Sequence, residues 1–385
     1  MRTGVRTKLR RLRDGPPTNE DYFEVRELAA LLHAGPAPLD RPAPDPDAPL
    51  QVAFVVPSFK PGSGGHMTIA NIVRGLERRG HTCSLWIDDA GRRMGADAPS
   101  QLREWFGPFE ASVHAGFGDW GGADVVLATG WQTVARVLSL GGAAGRAYLV
   151  QDHEPEFFGT SAQRLYAEDS YRHGLHAITA GRWLAGLMRD TYGLSATPFD
   201  LGVDGELYGT QAIHRHDNVV LFYARASTPR RVVPIALAGL GELVARRPDI
   251  EVWGFGYGVE PGVDFPVRHL GVLSGPELAQ YYNAATVGLV LSMTNYSLVA
   301  QEMLACGLAC VELDSPSVVA AYGRDGPVDL AGPDPYVIAS TVERLIDDLE
   351  LRAERVRSGL EFAATRTWDR AAEQVEAGLR AALAP

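Results

Sequence analysis

The sequence has few cysteines, few lysines and no long apolar run. Its three cysteines, Cys83, Cys306 and Cys310, lie in apolar surroundings without metal-ligand spacing, so we expect reduced, packed thiols rather than disulfides or zinc ligands. No stretch of about 18 apolar residues could span a membrane, and the amino terminus has no apolar signal core. The sequence therefore indicates neither membrane insertion nor secretion, and we expect a cytoplasmic protein.

The charge of the chain is predominantly negative. With a formal net charge of −11 it lacks the basic field that nucleic-acid binding needs, so nucleic acid is not an expected partner. A segment rich in arginine at the amino terminus is the exception, and such an arm is typically solvated. The alternative is peripheral contact with anionic lipid at the inner face of a membrane, or with a partner surface. The basic residues of this arm are Arg2, Arg6, Lys8, Arg10, Arg11 and Arg13.

Length and composition predict two domains. A chain of 385 residues with 46% hydrophobic residues is too long for one ordinary core. A stretch rich in Pro, Asp and Ala at 35–49 closes an amino-terminal segment, 1–49, that contains the basic arm. We predict the first domain at 50–215 and the second at 216–366, with the last helix, 367–385, packing back on the first.

Short apolar runs alternate with segments of helical periodicity in both domains. This alternation predicts an α/β fold with two Rossmann-like, doubly wound parallel sheets that face each other across a cleft. The predicted strands are 51–56, 82–87, 125–128, 147–150 and 176–179 in the first domain, and 219–223, 251–254, 286–291 and 309–313 in the second. The predicted helices are 67–79, 161–172 and 182–191, then 231–246, 276–285, 334–349, 351–364 and 368–383.

A polar loop lies between the apolar run at 286–291 and the helix that follows it. Open α/β sheets bind ligands at the carboxyl ends of their strands, and a turn entering a helix offers unpaired N–H groups to a diphosphate. Glu302, one turn inside the helix, can accept hydrogen bonds from ribose hydroxyls. We predict a sugar-nucleotide site here; the alternative is an ordinary strand-loop-helix with a solvated Glu302. The residues assigned to the site are Arg225, Arg230, Arg231, Leu273, Asn295, Tyr296, Ser297, Leu298, Val299 and Glu302.

Three arginines follow the first strand of the second domain. Arg225 comes directly after that strand, and Arg230 and Arg231 are predicted in the first turn of the next helix. Arginines at this edge can bind a diphosphate bidentately. A cation in the first turn of a helix is unfavourable against the helix dipole unless an anion is near, which indicates an anionic ligand. The alternative is that the two helical arginines are solvated.

A glycine-rich turn follows the first strand of the first domain. Gly64, Gly65 and His66 open a helix where backbone can approach an anionic group closely. As a dinucleotide fingerprint the turn is poor, because Met67 stands where a third glycine belongs and Asp88 is a weak match to a ribose-binding acid. We therefore predict a loop that lines the cleft near the acceptor, with a purely geometric role as the alternative.

The loop at 151–158 also follows a strand of the first domain. Asp152, His153 and Glu154 could orient sugar hydroxyls or an attacking hydroxyl, or could simply be hydrogen-bonded structure. The chain has no His and Cys set with metal-ligand spacing, and Asp45 and Asp47 form its single Asp-x-Asp, inside the proline-rich stretch. A metal-dependent transferase is therefore disfavoured, and neither a metal nor a cofactor is expected.

Taken together, these motifs resemble retaining glycosyltransferases of the GT-B fold, family 4, and among them rhamnosyltransferases that use dTDP-L-rhamnose. The resemblance extends from Gln51 through the loops above to the terminal Thr367-Trp368-Asp369. It implies a nucleotide held by the carboxyl-terminal domain and an acceptor held by the amino-terminal domain. Members of the family commonly carry a second glutamate eight positions before the one matched by Glu302, where this chain has Thr294. This departure suggests a different or deoxy donor sugar, or a weakened activity.

The resulting hypothesis is transfer of a sugar, L-rhamnose, from a dTDP-sugar to a hydroxyl of a glycan or glycoconjugate with retained configuration. Arg225 and Arg230 would stabilise the diphosphate leaving group, while Asp152, His153 and Glu154 position the acceptor. One alternative is a sugar-nucleotide epimerase with the same architecture. A second alternative is a sugar-nucleotide binding protein without catalytic activity.

Overall fold

The computed structural model describes residues 28–89, 94, 97–256 and 262–384. The predicted basic arm, from Arg2 to Arg13, lies outside the described residues. Within the described part, no helix combines the length and apolarity that crossing a membrane requires.

The first sheet has seven parallel strands in the order β3-β2-β1-β4-β5-β6-β7. Its interior strand β1 pairs with β2 on one side and β4 on the other, and all but its first residue are buried. A parallel strand covered on both faces needs apolar side chains, which is why 52–56 is a continuous apolar run in the sequence. The strands are β1 (Gln51–Val56), β2 (Thr82–Ile87), β3 (Ser112–Ala115), β4 (Ala123–Ala128), β5 (Ala143–Val150), β6 (His176–Ala180) and β7 (Ala196–Phe199).

Helices connect these strands and cover both faces of the sheet. The helix at 64–78 joins β1 to β2 and buries an apolar stripe that includes Ile69, Ile72 and Leu76. Residues 28–34 are also helical. The helices of this part are α1 (Gly64–Arg78), α2 (Ala98–Phe106), α3 (Trp131–Ser139), α4 (Ala162–Ser170) and α5 (Arg182–Tyr192).

The second sheet has six parallel strands in the order β10-β9-β8-β11-β12-β13. The two parallel sheets confirm the predicted doubly wound α/β fold. The strands are β8 (Val219–Tyr223), β9 (Glu251–Phe255), β10 (Val267–Gly271), β11 (Val287–Leu289), β12 (Ala309–Leu313) and β13 (Val328–Ala331), and the helices are α6 (Val233–Arg246), α7 (Gly275–Ala284), α8 (Leu298–Ala305), α9 (Pro316–Tyr322), α10 (Pro335–Asp347), α11 (Leu349–Ala364) and α12 (Trp368–Ala381).

The last helix, α12, packs on the first sheet although it follows the second sheet in sequence. It contacts α1 and β7. Just before it, Thr367 pairs with Val203 in an isolated parallel bridge, and the Val203 amide donates to the Arg366 carbonyl at 2.8 Å. Gly202 lies so close to Trp368 that an added Cβ would stand 2.6 Å from its backbone nitrogen. The chain therefore crosses between the sheets at 200–203 and again at 364–368.

The proline-rich stretch at 35–49 is irregular, as predicted, and it is fastened to the first sheet. Arg41 forms an ion pair with Asp124 at 2.9 Å, and Asp40 accepts a hydrogen bond from the Gly142 amide at 2.7 Å. Arg380 of α12 donates to the Ala48 carbonyl at 3.3 Å. The stretch is thus bound to the starts of β4 and β5 on one side and to the last helix on the other.

The start of α6 differs from the prediction. Arg230 and Arg231 lie in a short 3₁₀ turn, Pro229–Arg231, ahead of the helix, and Val232 between them and α6 has a left-handed conformation with φ 42°. The physical reason is Pro234, which lacks an N–H and is accepted only in the first turn of a helix, so the helix begins at Val233. The argument from the helix dipole therefore does not apply to these arginines.

Candidate functional site

Three of the predicted site loops follow strands at the reversal points of strand order in the two sheets, and the loop at 151–158 follows β5, the next strand beyond β4. In the second sheet, β8 and β11 are neighbours, so the loop at 224–232 adjoins the loop at 290–297. The Met293 amide donates to the Arg230 carbonyl at 3.1 Å and joins the two loops. In the first sheet, β1 and β4 are the corresponding neighbours. Open parallel sheets bind ligands at such positions, beyond the carboxyl ends of their strands.

The carboxyl edges of the two sheets face each other. Asn295, after β11, donates from Nδ2 to the Gln151 carbonyl after β5 at 2.8 Å and to the Ala180 carbonyl of β6 at 2.9 Å. Arg230, after β8, forms an ion pair with Asp152 at 3.0 Å between Nε and Oδ2. These contacts bring together the arginine segment and the acidic loop, which are far apart in sequence.

The three arginines have different surroundings. Arg230 pairs with Asp152, and its guanidinium carbon lies 4.2 Å from the centre of the Phe157 ring. Arg231 turns inward and donates to Ser292 Oγ at 2.5 Å. Arg225 is half-buried, and no hydrogen bond or ion pair joins its side chain to another residue in the described ranges. Arg225 is therefore the arginine best placed to contact an anionic ligand without breaking an existing contact.

The surroundings of Arg231 include a buried carboxylate. Ser292 Oγ in turn donates a hydrogen bond to Glu312 Oε1 at 3.0 Å, and Glu312 is fully buried on β12. Burial raises the pKa of Glu312 to about 7, and the charge of Arg231 opposes the increase. To bind the nucleotide as predicted, Arg231 would therefore have to give up its hydrogen bond to Ser292 near the buried Glu312.

The acidic loop at 151–158 contains two buried carboxylates, Asp152 and Glu154, with His153 between them. Asp152 faces Arg230, and His153 Nε2 lies 2.8 Å from the Tyr192 hydroxyl while Nδ1 lies 3.5 Å from Glu156. Both ring nitrogens of His153 are therefore occupied, so it would have to exchange one of these contacts to bind a substrate hydroxyl.

Glu154 is buried below this loop. Its Oε2 accepts from the Trp131 amide at 2.7 Å, and its Oε1 accepts from the Tyr148 hydroxyl at 2.9 Å. Burial raises the pKa of Glu154 to about 7, although these two hydrogen bonds oppose the increase. Glu154 thus links the loop after β5 to the start of α3 and lies under the cleft rather than in it.

Several residues of the 292–299 loop hold the two sheets together. Both Asn295 amide bonds go to carbonyls of the first sheet, and the Tyr296 hydroxyl accepts from the Leu201 amide at 3.1 Å. Ser297 begins α8 by accepting from the Val299 amide at 3.2 Å. The loop predicted to bind the nucleotide therefore also forms the junction, and Leu298, at the half-buried first position of α8, follows directly.

Glu302 lies one turn inside α8 and is only partly accessible to solvent. The Tyr282 hydroxyl donates to its Oε2 at 3.3 Å. Loss of hydration raises the pKa of Glu302 to about 8, an increase that the Tyr282 bond opposes. Leu273, half-buried in the loop between β10 and α7, packs against the same hydrophobic cluster as Tyr282.

Thr294 occupies the position where the resembled family has a carboxylate. Its side chain is only 3% exposed, and its hydroxyl has no hydrogen-bond partner among the described residues. The site wall is therefore neutral at this point. A ligand at this wall would meet a methyl and a hydroxyl instead of a negative charge.

The glycine-rich turn touches the acidic loop. Gln151 Nε2 donates to the Gly65 carbonyl at 3.1 Å. Gly64 is the first residue of α1, and His66, one turn in, stacks on Phe106 with ring centres 5.6 Å apart. Burial lowers the pKa of His66 to about 4, with the Pro57 carbonyl opposing the decrease, so the imidazole is neutral at physiological pH. These residues line the first-sheet side of the cleft.

Sequence reasoning missed the tyrosines beneath the site. Tyr148 and Tyr171 are fully buried under the acidic loop, and Tyr208 and Tyr282 lie near Glu302. Tyr148 lies in an apolar strand and Tyr171 and Tyr208 lie in polar segments, so no common sequence pattern marks these tyrosines. Among the residues that the structure describes, no group of three or more His, Cys, Asp or Glu side chains could hold a metal ion.

The buried Glu154 should make stability depend on pH. Because its folded pKa of about 7 is above its unfolded value, its stabilising contribution is complete below about pH 4.5 and is lost as the pH rises through about 7. Glu154→Gln keeps an acceptor for the Trp131 amide and cannot ionise. We expect its free energy of unfolding, relative to wild type, to increase by on the order of 1 kcal/mol between about pH 6 and about pH 8.5.

Urea unfolding at the two pH values measures this difference. Glu373→Gln, an exposed glutamate on α12, is the matched control and should show no change with pH. Parallel pH dependence in wild type and Glu154→Gln would contradict the raised pKa.

Comparison with known proteins supports the same architecture. The family model described as "WsaF, C-terminal domain" matches residues 218–316. The chain is similar to the O-antigen biosynthesis protein RfbC of Myxococcus xanthus, with 29% identity over 262 residues, which cover 66% of this chain and 20% of that protein. The curated relatives are longer: the matches span between 20% and 44% of their lengths.

Solved structures resemble the whole described fold. Sucrose-phosphate synthase from Thermosynechococcus elongatus has a TM-score of 0.66 at 15% identity, over 86% of this chain and 98% of that one. Anabaena HepE, solved in complex with UDP-glucose, has a TM-score of 0.64 at 16% identity, over 86% of this chain and 100% of that one. At such identities the likeness shows the fold alone. That fold is the predicted GT-B arrangement of two parallel-sheet domains.

Proposed function

We propose that this chain is a glycosyltransferase that moves a sugar from a nucleotide-sugar donor to a hydroxyl of a glycan or glycoconjugate. The observation that carries the proposal is the placement of Arg225 and Arg230 after β8, beside the loop that leads to Glu302 and opposite Asp152. A cluster of arginines at the reversal point of a parallel sheet suits a diphosphate. The GT-B fold and the similarity to an O-antigen biosynthesis protein agree with this chemistry.

The donor is proposed to be dTDP-L-rhamnose, transferred with retention of configuration. The support is the resemblance of the motifs to such transferases, together with the neutral wall at Thr294. A deoxy sugar has fewer hydroxyls, so it loses fewer hydrogen bonds when the carboxylate that would accept them is missing. The diphosphate and deoxyribose would lie along the second sheet, with Glu302 accepting from the 3′-hydroxyl of the deoxyribose and Leu273 packing beside the base.

Catalysis in this proposal depends on stabilising the leaving group. As the bond between the anomeric carbon and the diphosphate oxygen breaks, negative charge grows on the diphosphate, and Arg225 and Arg230 offset it. The acceptor oxygen bonds to the anomeric carbon on the same face, and its proton passes to the departing phosphate oxygen. No separate strong base is then required. Arg230 would exchange its contact with Asp152 for the diphosphate, which frees Asp152 to orient the acceptor hydroxyl.

Binding of the donor gives the direct test. We expect calorimetry to show dTDP-L-rhamnose and dTDP binding to wild type, with weaker binding of UDP-glucose and none of NAD. Glu302→Ala removes the acceptor for the deoxyribose 3′-hydroxyl and should weaken dTDP-sugar binding by about tenfold or more, since leaving a buried donor without its acceptor costs about 1–3 kcal/mol. Glu361→Ala, exposed on α11, is the control.

The same samples separate the competing functions. A sugar product formed from the donor without any acceptor would favour an epimerase, and donor binding without turnover across acceptors would favour a non-catalytic binding protein. Binding of NAD instead of sugar nucleotides would refute the proposal. Binding of UDP-glucose in preference to the dTDP-sugar would still agree with a glycosyltransferase but would reject dTDP-L-rhamnose as the donor.

A further inference from the structure

A second cavity lies between the two sheets, beside their junction. Its volume is about 150 Å³, which is enough for more than one water molecule or for a small solute. Residues of the first sheet line one side, from the start of α5 and from Asp200 after β7. Residues of α8, α9 and α11, among them Gln301, line the other side together with Arg366, which follows α11. No residue of the arginine segment at 224–232 belongs to the lining.

The most informative side chain in this cavity is Gln301. It is completely buried, and neither its Nε2 nor its Oε1 makes a hydrogen bond of normal geometry within the described part of the chain. The Tyr296 hydroxyl, which accepts from the Leu201 amide, lies near the Gln301 amide without a hydrogen bond of normal geometry between them. A buried amide without partners costs roughly 1–3 kcal/mol, so an amide facing a cavity indicates a ligand or ordered water there.

Arg366 provides a second donor without a partner. One of its terminal nitrogens, Nη1, pairs with Asp200, yet its buried Nε has no hydrogen-bond acceptor among the described residues. Asp200 accepts both of its contacts on Oδ2, from Arg366 Nη1 and from Gln374 Nε2 at 3.3 Å. The Nε of Arg366 is therefore a buried donor that remains available to a molecule in the cavity.

The remaining charges also favour an anion. The lining contains two arginines, Arg182 and Arg366, and a single carboxylate, Asp200. Arg182 and Trp183 are the first residues of α5, an 11-residue helix that has no side-chain cap on its first turn. The N–H groups and dipole of that turn attract negative charge. Donors from Gln301, from Arg366 and from the first turn of α5 thus approach the cavity from three directions.

We propose that this cavity binds a free oxyanion of the size of phosphate, held by Gln301, Arg366 and the first turn of α5. Inorganic hydrogen phosphate fits the donors and can also donate its own proton to Gln301 Oε1. The ion would contact residues from both sheets, so it would stabilise the arrangement of the domains. This site is separate from the proposed diphosphate site and does not depend on the proposed reaction.

Calorimetric titration of the full chain with inorganic phosphate, repeated with sulfate, tests the proposal. Gln301→Met keeps the volume and removes the amide, so we expect phosphate affinity to fall by about tenfold to a hundredfold. Arg182→Gln, a change at an exposed position, should weaken binding severalfold. The matched controls are Gln280→Met and Arg189→Gln, both exposed, which should bind as wild type does.

Phosphate could also enter the arginine cluster after β8, and Arg225→Ala separates the two sites. Loss of binding in Arg225→Ala together with unchanged affinity in Gln301→Met would overturn the proposal. So would the absence of binding heat with both anions at about a hundredfold the protein concentration, because a site that weak would not be occupied. If Gln301→Met does not fold, Arg182→Gln decides the result on its own.

Discussion

Replacing Arg225 by alanine is expected to lower the turnover number by about a hundredfold to a thousandfold, as found when a donor that stabilises developing charge is removed. The reason lies in the differences among the three arginines. Arg231 is committed to Ser292 and Glu312, and Arg230 is shared with Asp152, whereas Arg225 has no such partner in the described ranges. Its charge is therefore available to the leaving diphosphate. Steady-state transfer kinetics with saturating acceptor measure the effect.

The same variant should fold normally, because Arg225 makes no contact on which the fold depends. Arg357→Ala, an exposed arginine on α11, serves as the control and should leave turnover unchanged. Arg225→Lys should recover only part of the rate, since an ammonium group lacks the planar fork of a guanidinium. Wild-type turnover in Arg225→Ala would mean that this arginine is not part of the catalytic site.

The second large effect is expected from Gly202→Ala. At this position an added Cβ would lie 2.6 Å from the Trp368 nitrogen, 2.7 Å from its Cδ2 and 2.8 Å from its Cα. Two of these atoms belong to the backbone and cannot turn away. We expect a loss of about 3 kcal/mol in the free energy of unfolding, at the upper end for overpacking, because the start of α12 must move off the first sheet.

Urea unfolding followed by tryptophan fluorescence measures this loss. Gly118→Ala is the matched control, since an added Cβ at Gly118 meets no atom within 4 Å and this glycine does not have a positive φ. A shift in the Gly202→Ala midpoint no larger than that of the control would contradict this prediction. It would show that the chain at 200–203 can move to accommodate the added methyl group without loss of stability.

The strands that sequence reasoning recovered and missed have a common physical basis. The interior strands β1, β8 and β12 are covered on both faces and appear in the sequence as largely apolar runs, with Glu312 the exception in β12. The four missed strands, β3, β7, β10 and β13, are the edges of the two sheets. Ser112–Ala115 and Val267–Gly271 contain no buried residue, and β13, although mostly buried, has only four residues and includes Asp329. Such short, mixed sequences have no periodicity that marks them as strands.

The sequence predicts which loops form the candidate site but not which of their side chains contact each other. Strand order alone brings Arg225 and Asp152 to carboxyl edges, and sequence patterning is sufficient for that. The pairing of Arg230 with Asp152 and the two bonds of Asn295 depend on how one sheet is oriented against the other. That orientation is set by packing at the junction, which involves residues distant in sequence. The cavity beside Gln301 is hidden for the same reason.

If the loop at 292–297 binds the donor as proposed, it has two roles, and this restricts how the protein can change over evolutionary time. Asn295 and Tyr296 are occupied in joining the sheets, so substitutions there would disturb domain arrangement before they altered sugar preference. Met293, which is exposed, and Thr294, whose hydroxyl is uncommitted within the described residues, carry no such duty. Divergence toward new donors would be expected to accumulate at these two positions while their neighbours stay fixed.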